Sequence, residues 1–375
     1  DRMMAPAPQN RNFRLLMTLD AVGGVWRYAL DLASGLKAHG VETVFLGFGP
    51  APSDAQRYEA EDIGQLTWSD APLDWMVDDA SELDAIPGII ADLAARERVD
   101  FVHLNLPSQA AGLNVPVPVS VVSHSCVATW FKGVRSQPLP DPWQWQLDLT
   151  QQGFRNADIV LSPSLSHAKL LNAVYGEIAG LTVIPNASRV SPETCPKDEL
   201  VFAAGRWWDE GKNGAVLDAA AAAVEWPVIM AGATQGPNSQ TLALRHADGR
   251  QELGHGETLA LMSRAAIFVS PSIYEPFGLA ALEAARHHCA LVLADIPTYR
   301  ELWEGAALFA DPHQPQAFAE AINALVSDER LRQRLAAKAC LASERFSLEA
   351  QANAVMRHYG RLLHPMPHTR FAEQT

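Results

Sequence analysis

The residues best suited to chemistry lie in Val269-Ser-Pro-Ser-Ile-Tyr-Glu275-Pro-Phe-Gly-Leu-Ala-Ala-Leu-Glu283, where two carboxylates flank a glycine turn that opens a helix. The apolar run Ala266 to Val269 reads as a buried strand, Pro276 and Gly278 break it, and Leu279 to His287 has helical apolar spacing. Glu275 therefore precedes that helix and Glu283 lies on it. Free backbone N–H groups at the helix start can meet a diphosphate, and each carboxylate can accept hydrogen bonds from hydroxyls. That arrangement suits a nucleotide sugar. The competing reading is structural, since a carboxylate near a helix N-terminus stabilises the helix by about 0.3–1 kcal/mol without any ligand.

Two further clusters stand at strand-to-helix junctions. Gly205-Arg206-Trp207-Trp208-Asp209-Glu210-Gly211-Lys212 follows an apolar strand and precedes a helix, so both cations project from the carboxyl edge of a sheet, where ligands bind in open α/β folds. Asp20-Ala-Val-Gly23-Gly24 joins the first strand to the first helix, and paired glycines permit close backbone approach. No G-x-G-x-x-G follows, which argues against a dinucleotide site. Val121-Val-Ser-His124 ends a strand with an imidazole at the same edge. Trp130, Trp143 and Trp145 offer flat faces for sugar rings, or equally a lid or helix packing.

In a chain this acidic, a Glu eight residues from another is a weak signal. With its strand, its Pro-Phe-Gly-Leu insert and the apolar run Ala290 to Ala294, the segment resembles the Glu-x7-Glu signature of retaining glycosyltransferases of family 4, glycosyltransferase group 1. Ser162-Pro-Ser-Leu-Ser166 and Val183-Ile-Pro-Asn186 extend the resemblance over most of residues 12–363. It implies a GT-B fold, an α/β architecture of two Rossmann-like domains whose parallel sheets face each other across a cleft. It also implies roles. Glu275 would hold the donor hexose and Glu283 the ribose, while the amides of Phe277, Gly278 and Leu279 would meet sugar and phosphate. Arg206 and Lys212 would face the leaving diphosphate, Gly23 and Gly24 would lie opposite it, and His124 would touch the primary hydroxyl of the transferred sugar. The implied donor is a UDP- or GDP-linked hexose and the acceptor a glycan or small molecule, with no cofactor and no metal. An epimerase or hydrolase of the same fold and a catalytically silent glycan-binding subunit are the alternatives.

The elements that must position these residues show in the hydropathy pattern. From Asn12 to Pro185 apolar strand-like runs alternate with helical ones, and a second series starts afresh at Leu200, which predicts two parallel sheets with crossover helices. The polar stretch Asn186 to Lys197 is the expected hinge. The expected organisation is an acceptor-binding domain over residues 1–195, a nucleotide-sugar domain over 196–345, a helix over 346–363 that crosses back to the first domain, and a tail over 364–375. The alanine run Ala219 to Ala223 is expected to pack a helix closely.

Composition narrows the function classes. A chain of 375 residues exceeds what one core comfortably supports, and its 48% hydrophobic content suits a globular protein. A net charge of −14 disfavours nucleic acid as a partner. Residues 1–195 carry 13 Lys+Arg against 22 Asp+Glu, which disfavours docking of that half on anionic membranes. Four widely spaced cysteines, Cys126, Cys195, Cys289 and Cys340, indicate neither a zinc knuckle nor a redox pair. A cytoplasmic location is the expectation.

Overall fold

The structure is a computed structural model that describes residues 12–363; the tail expected at 364–375 lies outside the described residues. The first half runs β1 (Phe13–Leu19), α1 (Gly24–Lys37), β2 (Val41–Gly47), α2 (Asp54–Ile63), β3 (Gln65–Trp68), α3 (Ile86–Arg96), β4 (Phe101–Leu104), β5 (Val119–Val122), α4 (Val127–Trp130), α5 (Gln144–Asn156), β6 (Ile159–Ser162), α6 (Leu165–Tyr175) and β7 (Leu181–Val183). These strands form one parallel sheet in the order β3-β2-β1-β4-β5-β6-β7.

The second half runs β8 (Asp198–Ala204), α7 (Gly214–Ala221), β9 (Val228–Ala231), β10 (Asp248–Arg250), α8 (His255–Arg264), β11 (Ala265–Ser270), α9 (Leu279–Arg286), β12 (Ala290–Ala294), α10 (Pro297–Trp303), β13 (Leu308–Ala310), α11 (Pro315–Ser327), α12 (Glu329–Ser343) and α13 (Leu348–Leu363). Its sheet is also parallel, in the order β10-β9-β8-β11-β12-β13. Central strands such as β11 and β12 are buried at every position because helices cover both faces, so they read as unbroken apolar runs. In each sheet the order reverses beside the first strand of the half, at β1/β4 and at β8/β11. A crevice opens there at the carboxyl ends of the strands.

Two strands escape the hydropathy pattern. β10 is Asp-Gly-Arg and fully exposed, and β3 is only partly covered, so neither edge strand carries an apolar signature. The alanine run packs α7 against α11 as expected, but only over its first part. α7 ends at Ala221, and within Ala219–Ala223 only Ala220 is buried; the carbonyl of Ala223 accepts from Asn323 Nδ2 at 2.8 Å instead of continuing the helix.

α13 returns to the first half, where Ala352, Val355 and Tyr359 join the core formed by β1 and α1. Tyr359 stacks on Phe101 at 3.8 Å and its hydroxyl meets His103 Nδ1 at 2.6 Å. Close approach to α1 needs Gly35, because a methyl group there would come within 3.0 Å of the Leu348 carbonyl oxygen. The linker between the sheets is tied down by charge. Arg189 Nε pairs with the buried Asp31 at 2.9 Å and its guanidinium also reaches Glu59, which in turn holds Arg27 at 2.6 Å. Arg286 donates to the carbonyls of Val190 and Phe346 from the other side.

Candidate active site

Glu275 sits in the connection between β11 and α9, and Glu283 sits one turn into α9. Gly278 makes this turn possible. Its φ of +89° is one that side chains disfavour, and a methyl group on it would come within 2.9 Å of the Tyr299 ring and 3.2 Å of Glu275 Cγ. The Tyr299 hydroxyl is fixed by Ser270 Oγ at the end of β11. Phe277 turns inward, 2% exposed, and meets Phe346 edge-on at 5.3 Å. The backbone is thereby anchored while the amides of Phe277, Gly278 and Leu279 meet no acceptor on the described residues. Unpaired N–H groups at the positive end of a helix can meet an anion.

Lys212 closes a short 3₁₀ turn, Glu210–Lys212, after β8, and its Nζ lies 2.7 Å from Glu275 Oε2. The side chains are only 22% and 14% exposed, so water screens the pair weakly. Arg206, 55% exposed, leans on Trp208 at 5.6 Å and lies 3.7 Å from Asp209. A methyl group on Gly23 would come within 3.9 Å of Arg206 Nη1, so this cation faces the paired glycines of the first half. The Asp20 carboxyl, before those glycines, is pushed up by burial, and the Arg206 guanidinium counters this across the cleft.

His124, after β5, is half-buried and packs edge-on against Tyr28 at 4.4 Å. Its Nε2 lies 2.8 Å from Asn105 Oδ1, and Asn105 Nδ2 donates to the Thr18 carbonyl at 2.7 Å. Because the amide nitrogen is spent on a carbonyl, Oδ1 must be the acceptor and Nε2 must carry the hydrogen. Burial, with smaller contributions from His103 and His167, pushes His124 down to about 3. A neutral imidazole therefore turns an Nδ1 lone pair to whatever hydroxyl it meets. The expected result is one neutral tautomer, protonated at Nε2, from pH 5 to 8 in ¹⁵N NMR spectra; an imidazolium signal growing in near pH 6.5 would overturn this assignment.

The tryptophans separate. Trp130 donates from Nε1 to Asp209 Oδ1 at 3.0 Å and thus ties α4 to the loop that carries Arg206 and Lys212. Trp145, on α5, packs partly buried against the first-half core. Trp143 ends the short turn before α5 and is half-buried. Other bonds cross the cleft beside Trp130: Thr129 Oγ1 to the Tyr274 hydroxyl at 2.8 Å, Ser164 Oγ to the Pro276 carbonyl at 2.6 Å, and Arg135 to Glu210 at 2.9 Å. Glu301 on α10 accepts from the amides of Leu165 and Ser166 at 2.7 and 2.8 Å, so a carboxylate of one half caps α6 of the other.

Sequence reasoning missed His255, whose Nε2 lies 2.9 Å from Glu283 Oε1. It stands 28 residues away at the start of α8, and no local pattern announces that pairing. Asn105 and Tyr274 were missed for the same reason.

Comparison with known proteins identifies the family. The family model for Glycosyltransferase Family 4 matches residues 22–189, and that for Glycosyl transferases group 1 matches residues 200–340. The chain belongs to the group 1, family 4 glycosyltransferases. This glycosyltransferase is 24% identical over 385 residues to a glycogen synthase of Mycobacterium tuberculosis, across 90% of this chain and 91% of that protein. Its fold matches a sucrose-phosphate synthase from Thermosynechococcus elongatus with a TM-score of 0.77 at 17% identity, over 94% of this chain and 99% of the other. It also matches Anabaena HepE, solved in complex with UDP-glucose, with a TM-score of 0.74 at 16% identity, over 93% and 100% of the two chains. The two-sheet α/β architecture is that of the GT-B glycosyltransferases. No helix among the described residues is long and apolar enough to cross a membrane.

Proposed function

We propose that this glycosyltransferase moves a hexose, with retention of anomeric configuration, from a UDP- or GDP-linked donor to a glycan or small-molecule acceptor. The observation that carries the reading is the pairing of Lys212 with Glu275 beside the unpartnered amides of α9, with Arg206 facing Gly23 across the crevice. On this reading a diphosphate lies over the start of α9 between the two cations. Glu283, oriented by His255, takes the ribose hydroxyls, and Glu275 takes those of the hexose. His124 accepts from the primary hydroxyl of that hexose through Nδ1.

Breaking the bond between the anomeric carbon and the phosphate oxygen places negative charge on the leaving diphosphate. Cations and amides already in position stabilise that charge more than the ground state, which lowers the barrier. The acceptor oxygen then bonds to the same face of the sugar, and its proton passes to the departing phosphate oxygen. Arg206, Lys212 and the start of α9 do the work that a divalent ion does elsewhere, so chelator should leave turnover unchanged.

The deciding experiment is a thermal-shift screen against UDP, GDP, ADP and TDP and their hexose conjugates. At a hundred times its dissociation constant a ligand of the native state adds about 2.7 kcal/mol. A rise in Tm of several degrees confined to one base is the expected result and sets the donor class. No rise with any nucleotide would sink the reading. Donor hydrolysis that no acceptor accelerates would replace the transferase with a hydrolase.

A further inference from the structure

Lys212 and Glu275 each follow a residue that the first half grips. Gly211 stands just before Lys212 and Tyr274 just before Glu275, and the amide of Ile273 donates to the Gly211 carbonyl at 2.9 Å, so the two loops are tied to each other. Both meet one element of the first half, α4 with the π-helical turn Phe131–Arg135 that prolongs it. A methyl group on Gly211 would come within 3.0 Å of Trp130 Nε1 and 3.2 Å of Val134 Cγ2.

Tyr274 is seated in that element. Its ring lies over Gly133, where a methyl group would come within 2.9 Å of Tyr274 Cδ2 and 3.8 Å of Leu170, and the His167 ring stands edge-on to it at 6.5 Å. Thr129 Oγ1 donates to the Cys126 carbonyl at 3.0 Å, so it accepts from the Tyr274 hydroxyl at 2.8 Å. Gly133 is not among the residues with positive φ, so the missing side chain answers to the ring and not to the backbone. A glycine weakens a helical turn relative to alanine; what this one offers is the space it leaves. On the other side of Glu275, the Pro276 carbonyl accepts from Ser164 Oγ at 2.6 Å. Glu275 is thus bracketed by two bonds from the first half.

We propose that Tyr274 is a positioning residue for transfer: seated between Thr129 and Gly133 of the first half, it holds the Glu275 carboxylate against Lys212 in the geometry that the reaction uses. The second half alone would then carry both charges without aligning them. Fixing a reacting constellation before the bond breaks removes an entropic cost from the barrier, so a ring that touches no substrate can still set the rate.

The proposal rests on the transferase reading, and the test separates the two. Single-turnover release of nucleoside diphosphate from UDP-glucose and GDP-mannose would be followed in the full chain. Tyr274→Ala should slow release by about 10²-fold, the loss that a misplacement of about 1 Å causes. Tyr274→Phe keeps the ring and loses one neutral hydrogen bond, so it should slow release by about fivefold or less. In a Glu275→Gln chain, Tyr274→Ala should add about twofold at most, because Tyr274 acts through Glu275 and residues so coupled are not additive. Gly133→Leu, which fills the space under the ring without altering Tyr274, covers the case in which Tyr274→Ala does not fold. It should slow release by a factor similar to Tyr274→Ala while keeping the far-UV circular dichroism of the parent. Losses that multiply in the Glu275→Gln chain, a Tyr274→Phe variant as slow as Tyr274→Ala, or a Gly133→Leu chain as fast as the parent would overturn the role of Tyr274 alone. Parent-like release by Glu275→Gln would instead remove Glu275 from the transferase reading and the proposal with it, so the two failures are distinguishable.

Discussion

Glu275→Gln is expected to lower kcat for transfer by about 10²–10³-fold, the loss seen when a single preorganised group leaves a site of developing charge. The substitution keeps the size of the side chain and one oxygen for hydrogen bonding, but it removes the charge that holds Lys212 at 2.7 Å. KM for the donor should change far less than kcat, because on the proposed reading Glu283 and the amides of α9 hold the nucleotide independently of Glu275. Stability should fall by about 1–3 kcal/mol, since the lost ion pair is largely shielded from water while the amide still accepts from Lys212. The measurement is single-turnover transfer with the donor identified by thermal shift, beside a melting curve. A variant that keeps most of its kcat would remove Glu275 from the mechanism.

Lys212→Ala should cost a similar factor in kcat, and the double variant with Glu275→Gln should cost little more than either alone. The two side chains act as one unit, and residues in direct contact lose additivity. Arg206→Ala should be milder, because Arg206 is 55% exposed and water screens its charge; about tenfold is the expected loss. The ordering Lys212 before Arg206 follows from burial. A double variant whose losses multiply, or an Arg206 effect larger than that of Lys212, would show that the pair does not act together on the leaving group.

Closure shapes how these effects are read. Trp130, Thr129, Ser164 and Glu301 all bond across the cleft beside the Glu275 loop, so substitutions there would alter kcat through domain position without touching substrate. Melting curves and nucleotide affinity separate the two cases. A catalytic variant keeps its nucleotide affinity, whereas a closure variant shifts it.

Features that depend on neighbours along the chain were legible in the residues alone. The alternation of apolar runs with helical spacing marked β1, β2, β11 and β12, because central strands of a parallel sheet are buried on both faces and carry their own signature. Proline and glycine placed Glu275 ahead of α9 and Glu283 on it, and the cations after β8 were legible from the strand that precedes them. Edge strands β3 and β10 were not, since exposed residues leave no hydrophobic trace.

Which distant side chains meet follows from the packing of the whole chain. That Lys212 bonds Glu275 across 63 residues, that His255 holds Glu283, that Asn105 sets the tautomer of His124, and that Trp130 serves a bond to Asp209 are all products of chain crossings. Local pattern records which face of an element is buried. It does not record which partner covers that face, because register and domain closure are set by packing summed over the whole molecule.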